Sequence, residues 1–132
     1  PEMVGGVGYD HRLTEFLARN GINYIAKNTN ANTITHYIPQ KSKNIEACMA
    51  EMRKAFVHAT VTGTPVAVVS VIGTNMKIPG FLAKAAKALY EADINVLALD
   101  QVMRQVNIQF IVSRDDFKKA QIVLHREFVE NV

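Results

Sequence analysis

The chain has 132 residues and a mass of 14.7 kDa, room for one ordinary domain or two very small ones. Hydrophobic residues make up 48% and charged residues 20%, a globular balance that excludes a disordered tail, and no apolar run nears the roughly 20 residues of a membrane helix. The net charge is +3, its basic residues scattered singly apart from the pairs Arg53-Lys54 and Lys118-Lys119, with no Trp and no basic–aromatic alternation, so neither nucleic acid nor a membrane is an expected partner. The single cysteine, Cys48, excludes an internal disulfide and a multi-Cys zinc site. The N-terminal residues carry neither the basic nor the apolar run of a signal peptide, and a cytoplasmic setting is the default expectation. Because the first residue is Pro1, we expect a piece of a longer chain.

Taken in chain order, a glycine-containing turn opens a helix over Asp10 to Asn20, with Asp10 as its N-cap or first-turn acid and Gly21 at the C-cap. Its apolar stripe is Tyr9, Leu13, Phe16 and Leu17. A strand over Ile22 to Lys27, a polar turn over Asn28 to Asn32 and a β-branched strand over Thr33 to Ile38 follow, ended by Pro39. A second helix is predicted over Lys43 to Phe56, with the stripe Ile45, Cys48, Met49, Met52 and Phe56. A strand over Val57 to Thr62 closes this stretch. The next begins with a strand over Val66 to Ile72, a turn over Gly73 to Pro79 and a helix over Gly80 to Ala92. Strands over Ile94 to Leu99 and Val106 to Val112 flank a polar turn, and a helix over Phe117 to Phe128 ends the chain, with Asp115 and Asp116 at its N-terminus.

A shift of 72 residues lays the first half on the second: Gly8 on Gly80, Leu17 on Leu89, Ile22-Asn23 on Ile94-Asn95 and Phe56-Val57 on Phe128-Val129. The stripes coincide as well. The third strand needs a local slip that pairs Ile34 with Ile108. The expectation is α+β: a ferredoxin-like βαββαβ arrangement twice over, with antiparallel sheets and helices on one face. The bounds are 1–64 and 65–132. The first unit lacks an opening strand, which we expect upstream of Met3. Units of about 65 residues need a shared core or a second copy to cover the remaining sheet face.

No enzyme site assembles from these residues. His11, His36, His58 and His125 have no metal spacing, and no metal is expected. His36 shares a strand face with Ile34 and Ile38 and reads as a packed histidine, and Cys48 reads as a small core residue. Nucleophile-elbow, P-loop and dinucleotide motifs are missing, so no residue is expected to be catalytic. Two features exceed what folding needs. The turns Met3 to Asp10 and Gly73 to Phe81 offer glycine and helix N-termini, which suit a carboxylate. The segment Asn28 to Thr33 is dense in side chains that both donate and accept. Ligand binding and plain turn chemistry both remain open on these grounds.

Met-x-Gly-x-x-Gly at Met3 to Gly8, Lys27 to His36 (KNTNANTITH), Val66 to Gly73 (VAVVSVIG), Pro79-Gly80, Ile94-Asn95-Val96, Asn107 to Phe110 and Leu124 to Phe128 resemble the C-terminal regulatory region of aspartate kinases, in order and over nearly the whole chain. That family carries tandem ACT domains, which are ferredoxin-like. The resemblance implies a first ACT domain over 1–64 and a second over 65–132. It implies a homodimer through these domains and an amino-acid effector, threonine or lysine, in their crevices. It also implies that the kinase domain, with its ATP and Mg²⁺, lies outside this chain, which itself needs no cofactor.

By position, the first crevice would use Met3, Gly6, Gly8, Tyr9 and Asp10, with Thr29, Asn30, Ala31 and Asn32 facing them. Backbone N–H groups near Tyr9 and Asp10 would hold the effector carboxylate. Asn30 and Asn32 would address its ammonium group or the partner subunit. The second unit would offer Asn75, Pro79, Gly80, Phe81 and Asn95, then Gln101 and Gln109. Lysine-sensitive members place an acid where this chain has Ile25, and an unpaired buried ammonium is costly, which argues against strong lysine binding. The Asn-rich segment also resembles aspartate kinases encoded with ectoine synthesis, compatible with lost feedback. Two further readings are an ACT-type dimerisation module without effector and a small acylphosphatase-like enzyme. For the latter no Arg-plus-Asn phosphate site assembles.

Overall fold

A computed structural model describes residues 8–30, 32–73, 79–101 and 107–130. It divides into two compact units, 1–63 and 64–132. The first unit holds α1 (Tyr9–Arg19), β1 (Ala26–Thr29), β2 (Ile34–Tyr37) and α2 (Ile45–Ala55). The second holds β3 (Val66–Ile72), α3 (Phe81–Glu91), β4 (Val96–Asp100), β5 (Asn107–Ser113) and α4 (Phe117–His125). A 3-10 turn leads into α4, and a π-helical turn over Arg126–Glu130 ends it. The fold is the mixed, antiparallel, ferredoxin-like class. None of the described helices is long and apolar enough to cross a membrane.

In the second unit the sheet order is β3-β5-β4, antiparallel throughout, with Val69 and Leu99 both opposite Phe110. Strand periodicity puts Ile108, Phe110 and Val112 on one face, and all three are fully buried. Ala85 and Leu89 from α3 and Ala120 and Leu124 from α4 pack against them. The first unit pairs β1 with β2, placing Lys27 opposite His36. Its core is Leu17, Ile22, Cys48, Met52 and Phe56, so the α2 stripe points inward as its spacing requires.

The 72-residue correspondence extends to backbone and ring geometry. Gly8 (φ 85, ψ 4) and Gly80 (φ 90, ψ −4) open α1 and α3 in the same left-handed conformation, which disfavours any residue with a Cβ. Both helices run 11 residues and end in the same pair of bonds. Gly21 N–H donates to Ala18 and Ile22 N–H to Leu17, while Asp93 N–H donates to Tyr90 and Ile94 N–H to Leu89. Tyr9 stacks on Phe56 at 5.6 Å, and their counterparts Phe81 and Phe128 stack at 4.7 Å.

At the C-terminal turn the copies differ in residue but not in conformation: Gly21 has φ 68 and Asp93 has φ 59. An aspartate tolerates that region less well than glycine. Asp93→Gly should therefore stabilise the second unit by about 0.5–1 kcal/mol. Thermal melting checks this, and an unchanged or lower midpoint would refute it.

Several predicted boundaries shift. The strand predicted over Ile22 to Lys27 begins only at Ala26, because Ile22 is drawn into the α1 C-terminal turn and the core. The strand predicted over Val57 to Thr62 does not form. Residues after Phe56 make a turn with Ala59 N–H on the Phe56 carbonyl, and the Arg53 guanidinium takes the Val61 carbonyl at 3.1 and 3.2 Å. A strand needs a neighbour for its carbonyls; here a side chain claims one of them. The turns predicted over Gly73 to Pro79 and Asp100 to Gln105 fall largely outside the described residues.

Candidate functional site

Among the described residues, the N-terminal turn of α1 meets the β1–β2 hairpin through one ion pair. Gly8 starts α1 without a side-chain cap. The first-turn N–H groups of a helix have no intrahelical acceptor, and the macrodipole makes that end attract anions. The next residue but one, Asp10, sends its Oδ2 to the Lys27 ammonium on β1. That hydrogen bond holds the Lys27 pKa above its ordinary value, although desolvation opposes it. Asp10 and Lys27 line a groove of about 590 Å³ with His11, Thr14, Ile22, Asn23 and Tyr24.

His36 lies opposite Lys27 across the hairpin and meets Tyr24 edge-to-face at 4.8 Å. Its partial burial pushes the imidazole below 6.5; the Asp10 charge pulls it back up and Lys27 pushes it down. The packed reading of this histidine agrees with that environment. Asp10 Oδ1, Asn28 Oδ1 and His36 Nε2 are shut off from solvent and have no hydrogen-bond partner among the described residues. Three such atoms in one small unit are notable, because shielded polar atoms are normally paired.

The His36 shift has a testable consequence. Above 6.5 the imidazole is neutral in both folded and unfolded chains, and its contribution to stability is complete. As pH falls below 6.5 the unfolded chain takes up the proton first, so stability is lost. The difference between wild-type and His36→Gln stability profiles should slope through that window. Parallel profiles in acid titrated melts would refute it.

The sequence-predicted site residues separate into groups. Gly8, Tyr9 and Asp10 form the opening turn of α1. Thr29 ends β1, and Asn32 follows in the loop. Asn30 Oδ1 accepts the N–H groups of Asn32 and Thr33, both at 2.9 Å, so that acceptor serves its own turn. Met3, Gly6 and Ala31 lie outside the described residues, as does Asn75. In the second unit Pro79 and Gly80 precede Phe81 at the start of α3. Asn95 is exposed before β4, Gln101 follows β4, and Gln109 sits on β5 between Ser70 and Asp100.

Lys27, Thr14 and Tyr24 were not among the expected site residues. Ile25, aligned with the acidic position, is 58% exposed and does not line the groove. Cys48 is buried, its thiol lies 3.6 Å from the Phe16 carbonyl, and burial pushes its pKa up, as suits an inert core residue.

The two units diverge at this place. The 72-residue shift puts Leu82 at the Asp10 position and Leu99 at the Lys27 position. Leu99 then faces Phe110 just as Lys27 faces His36, consistent with the two-residue slip in the third strand. Both leucines are partly exposed, at 37% and 44%. The shared backbone therefore does not require the charged pair.

Residues 69–128 match the family described as ACT domain. An aspartate kinase of Stutzerimonas stutzeri (Ask_Ect) is 35% identical over 129 residues, covering 98% of this chain and 27% of its own length. The chain thus spans about a quarter of that relative. The aspartate kinase of Clostridium acetobutylicum has the same fold, with a TM-score of 0.81 at 21% identity over 94% of this chain and 30% of its own. E. coli aspartokinase III, solved in complex with lysine and aspartate, gives 0.68 at 16% identity over 96% of this chain and 29% of its own. The second unit thus carries the ACT domain match, and the fold is one that these aspartate kinases share. Over nearly its whole length the chain is similar to a stretch of these aspartate kinases.

Proposed function

We propose that this chain senses an amino acid on behalf of an aspartate kinase, binding it at the opening turn of α1 in the first unit and forming a homodimer through its ACT domains. The first unit, although it lies outside the matched residues 69–128, acts as the first of two tandem ACT domains, divided near residue 64. The observation that carries the reading is the Asp10 carboxylate, paired with Lys27 beside a helix N-terminus and lining a groove roomy enough for an amino acid. A free amino acid is a zwitterion. Its carboxylate suits the α1 N-terminus or Lys27, and its ammonium suits Asp10. Asp10 lines the groove; Gly8 and Tyr9, from the same turn, and Thr29 and Asn32, from the hairpin, are the further candidates for the seat. The corresponding second-unit positions around Pro79, Gly80, Phe81, Asn95, Gln101 and Gln109 form a weaker second seat, because Leu82 and Leu99 bring no charge.

Phosphorylation of aspartate with ATP and Mg²⁺ belongs, on this reading, to a kinase domain outside the chain, in a cytoplasmic enzyme. Calorimetry and melting with threonine, lysine and methionine test the proposal. A saturable heat and a raised midpoint with one of them support it, and silence with all three would overturn it. Turnover of ATP with aspartate by this chain alone would overturn the division of labour. A second reading, a dimerisation module without effector in a feedback-insensitive and ectoine-linked enzyme, is favoured by one observation: Lys27 already satisfies one oxygen of Asp10.

A further inference from the structure

We propose that Lys27 selects effectors by side-chain charge: held on Asp10, its ammonium excludes amino acids with a cationic side chain from the first-unit groove and admits those with a neutral one. The inference rests on the effector reading above and deepens it.

Asp10 is the only carboxylate among the described residues that line the groove. One of its oxygens is engaged by Lys27 and the other has no hydrogen-bond partner among the described residues. Asp10 and Lys27 together carry no net charge, so an incoming zwitterion leaves the groove neutral: its ammonium meets the Asp10 carboxylate and its carboxylate meets Lys27 or the α1 N-terminus. A second positive charge on the ligand finds no second carboxylate there. It approaches the Lys27 ammonium instead, and His11 and Thr14 supply no compensating anion. Rejection by an unpaired like charge is an effective source of specificity.

The fold does not impose this arrangement, since its own repeat places Leu82 and Leu99 at the two positions. Lys27 is also anchored rather than free to swing away, because the strand that carries it is paired to β2 and its ammonium is fixed on Asp10.

Calorimetric titration of the unmodified protein with norleucine and with lysine is the first arm, since these ligands differ chiefly in a terminal charge. Norleucine or threonine should bind about tenfold or more tightly than lysine. In the second arm Lys27→Met should abolish that preference and Lys27→Glu should reverse it. Ligand-free melting should stay near wild type, because both side chains of the pair are partly exposed. Equal binding of lysine and norleucine by the unmodified protein would overturn the inference while leaving the effector reading intact. An unchanged ratio in a folded Lys27→Glu protein would do the same. No binding of any amino acid to any of the three proteins would overturn the effector reading, and the inference with it.

Discussion

Phe110→Ala should destabilise the second unit by about 3–5 kcal/mol. Phe110 is fully buried at the middle of the central strand β5. It lies between Val69 on β3 and Leu99 on β4, and it belongs to the cluster of helix and strand residues that forms the core. Truncation removes the transfer free energy of the ring and leaves a cavity that two helices and three strands cannot easily close. Small domains are stable by only about 5–15 kcal/mol, so the loss removes a large share of the unit's stability and should lower its melting midpoint markedly. Urea unfolding should show a lower midpoint with an unchanged slope. A loss under about 1 kcal/mol would mean that Phe110 is not the keystone of this core.

Phe56→Ala should cost the first unit about 3–5 kcal/mol, for a different set of reasons. Phe56 is 5% exposed and is the meeting point of three groups. Tyr9 stacks on it, Phe16 meets it edge-on at 5.8 Å, and the Arg12 guanidinium lies 4.7 Å from its centroid. Those contacts tie the start of α1 to the end of α2, so the loss should also loosen the turn at Gly8. Hydrogen exchange should show lost protection in α1 and α2. Retained protection there would refute this account of how the opening turn is held.

Much of the architecture could be read from the chain because it rests on periodicity. The stripe Ile45, Cys48, Met52 and Phe56 recurs at Phe117, Ala120, Leu124 and Phe128, and each buried member sits where a 3.6-residue period places it. Gly8, Gly21 and Gly80 fall where the backbone turns left-handed. Partners across sequence distance were harder to see. Asp10 and Lys27 are 17 positions apart, and hydrophobic patterning shows which face a residue occupies but not which opposing side chain it will meet. For the same reason Lys27 read only as the last residue of a strand. The segment from Val57 to Thr62 has the β-branched look of a strand, yet Arg53, one turn back on α2, claims one of its carbonyls. By the resemblance, Asn30 was expected to address the effector's ammonium group or the partner subunit. Its oxygen instead completes an Asx turn, the commonest local use of such a side chain.

The duplicated frame makes the molecule its own reference state. Leu82→Asp with Leu99→Lys would install the first unit's ion pair on an equivalent backbone that lacks it, and the two single variants complete a thermodynamic cycle. At partly exposed positions the coupling should be about 0–1 kcal/mol. The same cycle at Asp10 and Lys27 should return a similar value. Matched couplings would put the intrinsic worth of the pair close to nothing in both settings. Its presence in one copy and absence from the other would then mark divergence in surface chemistry at constant stability.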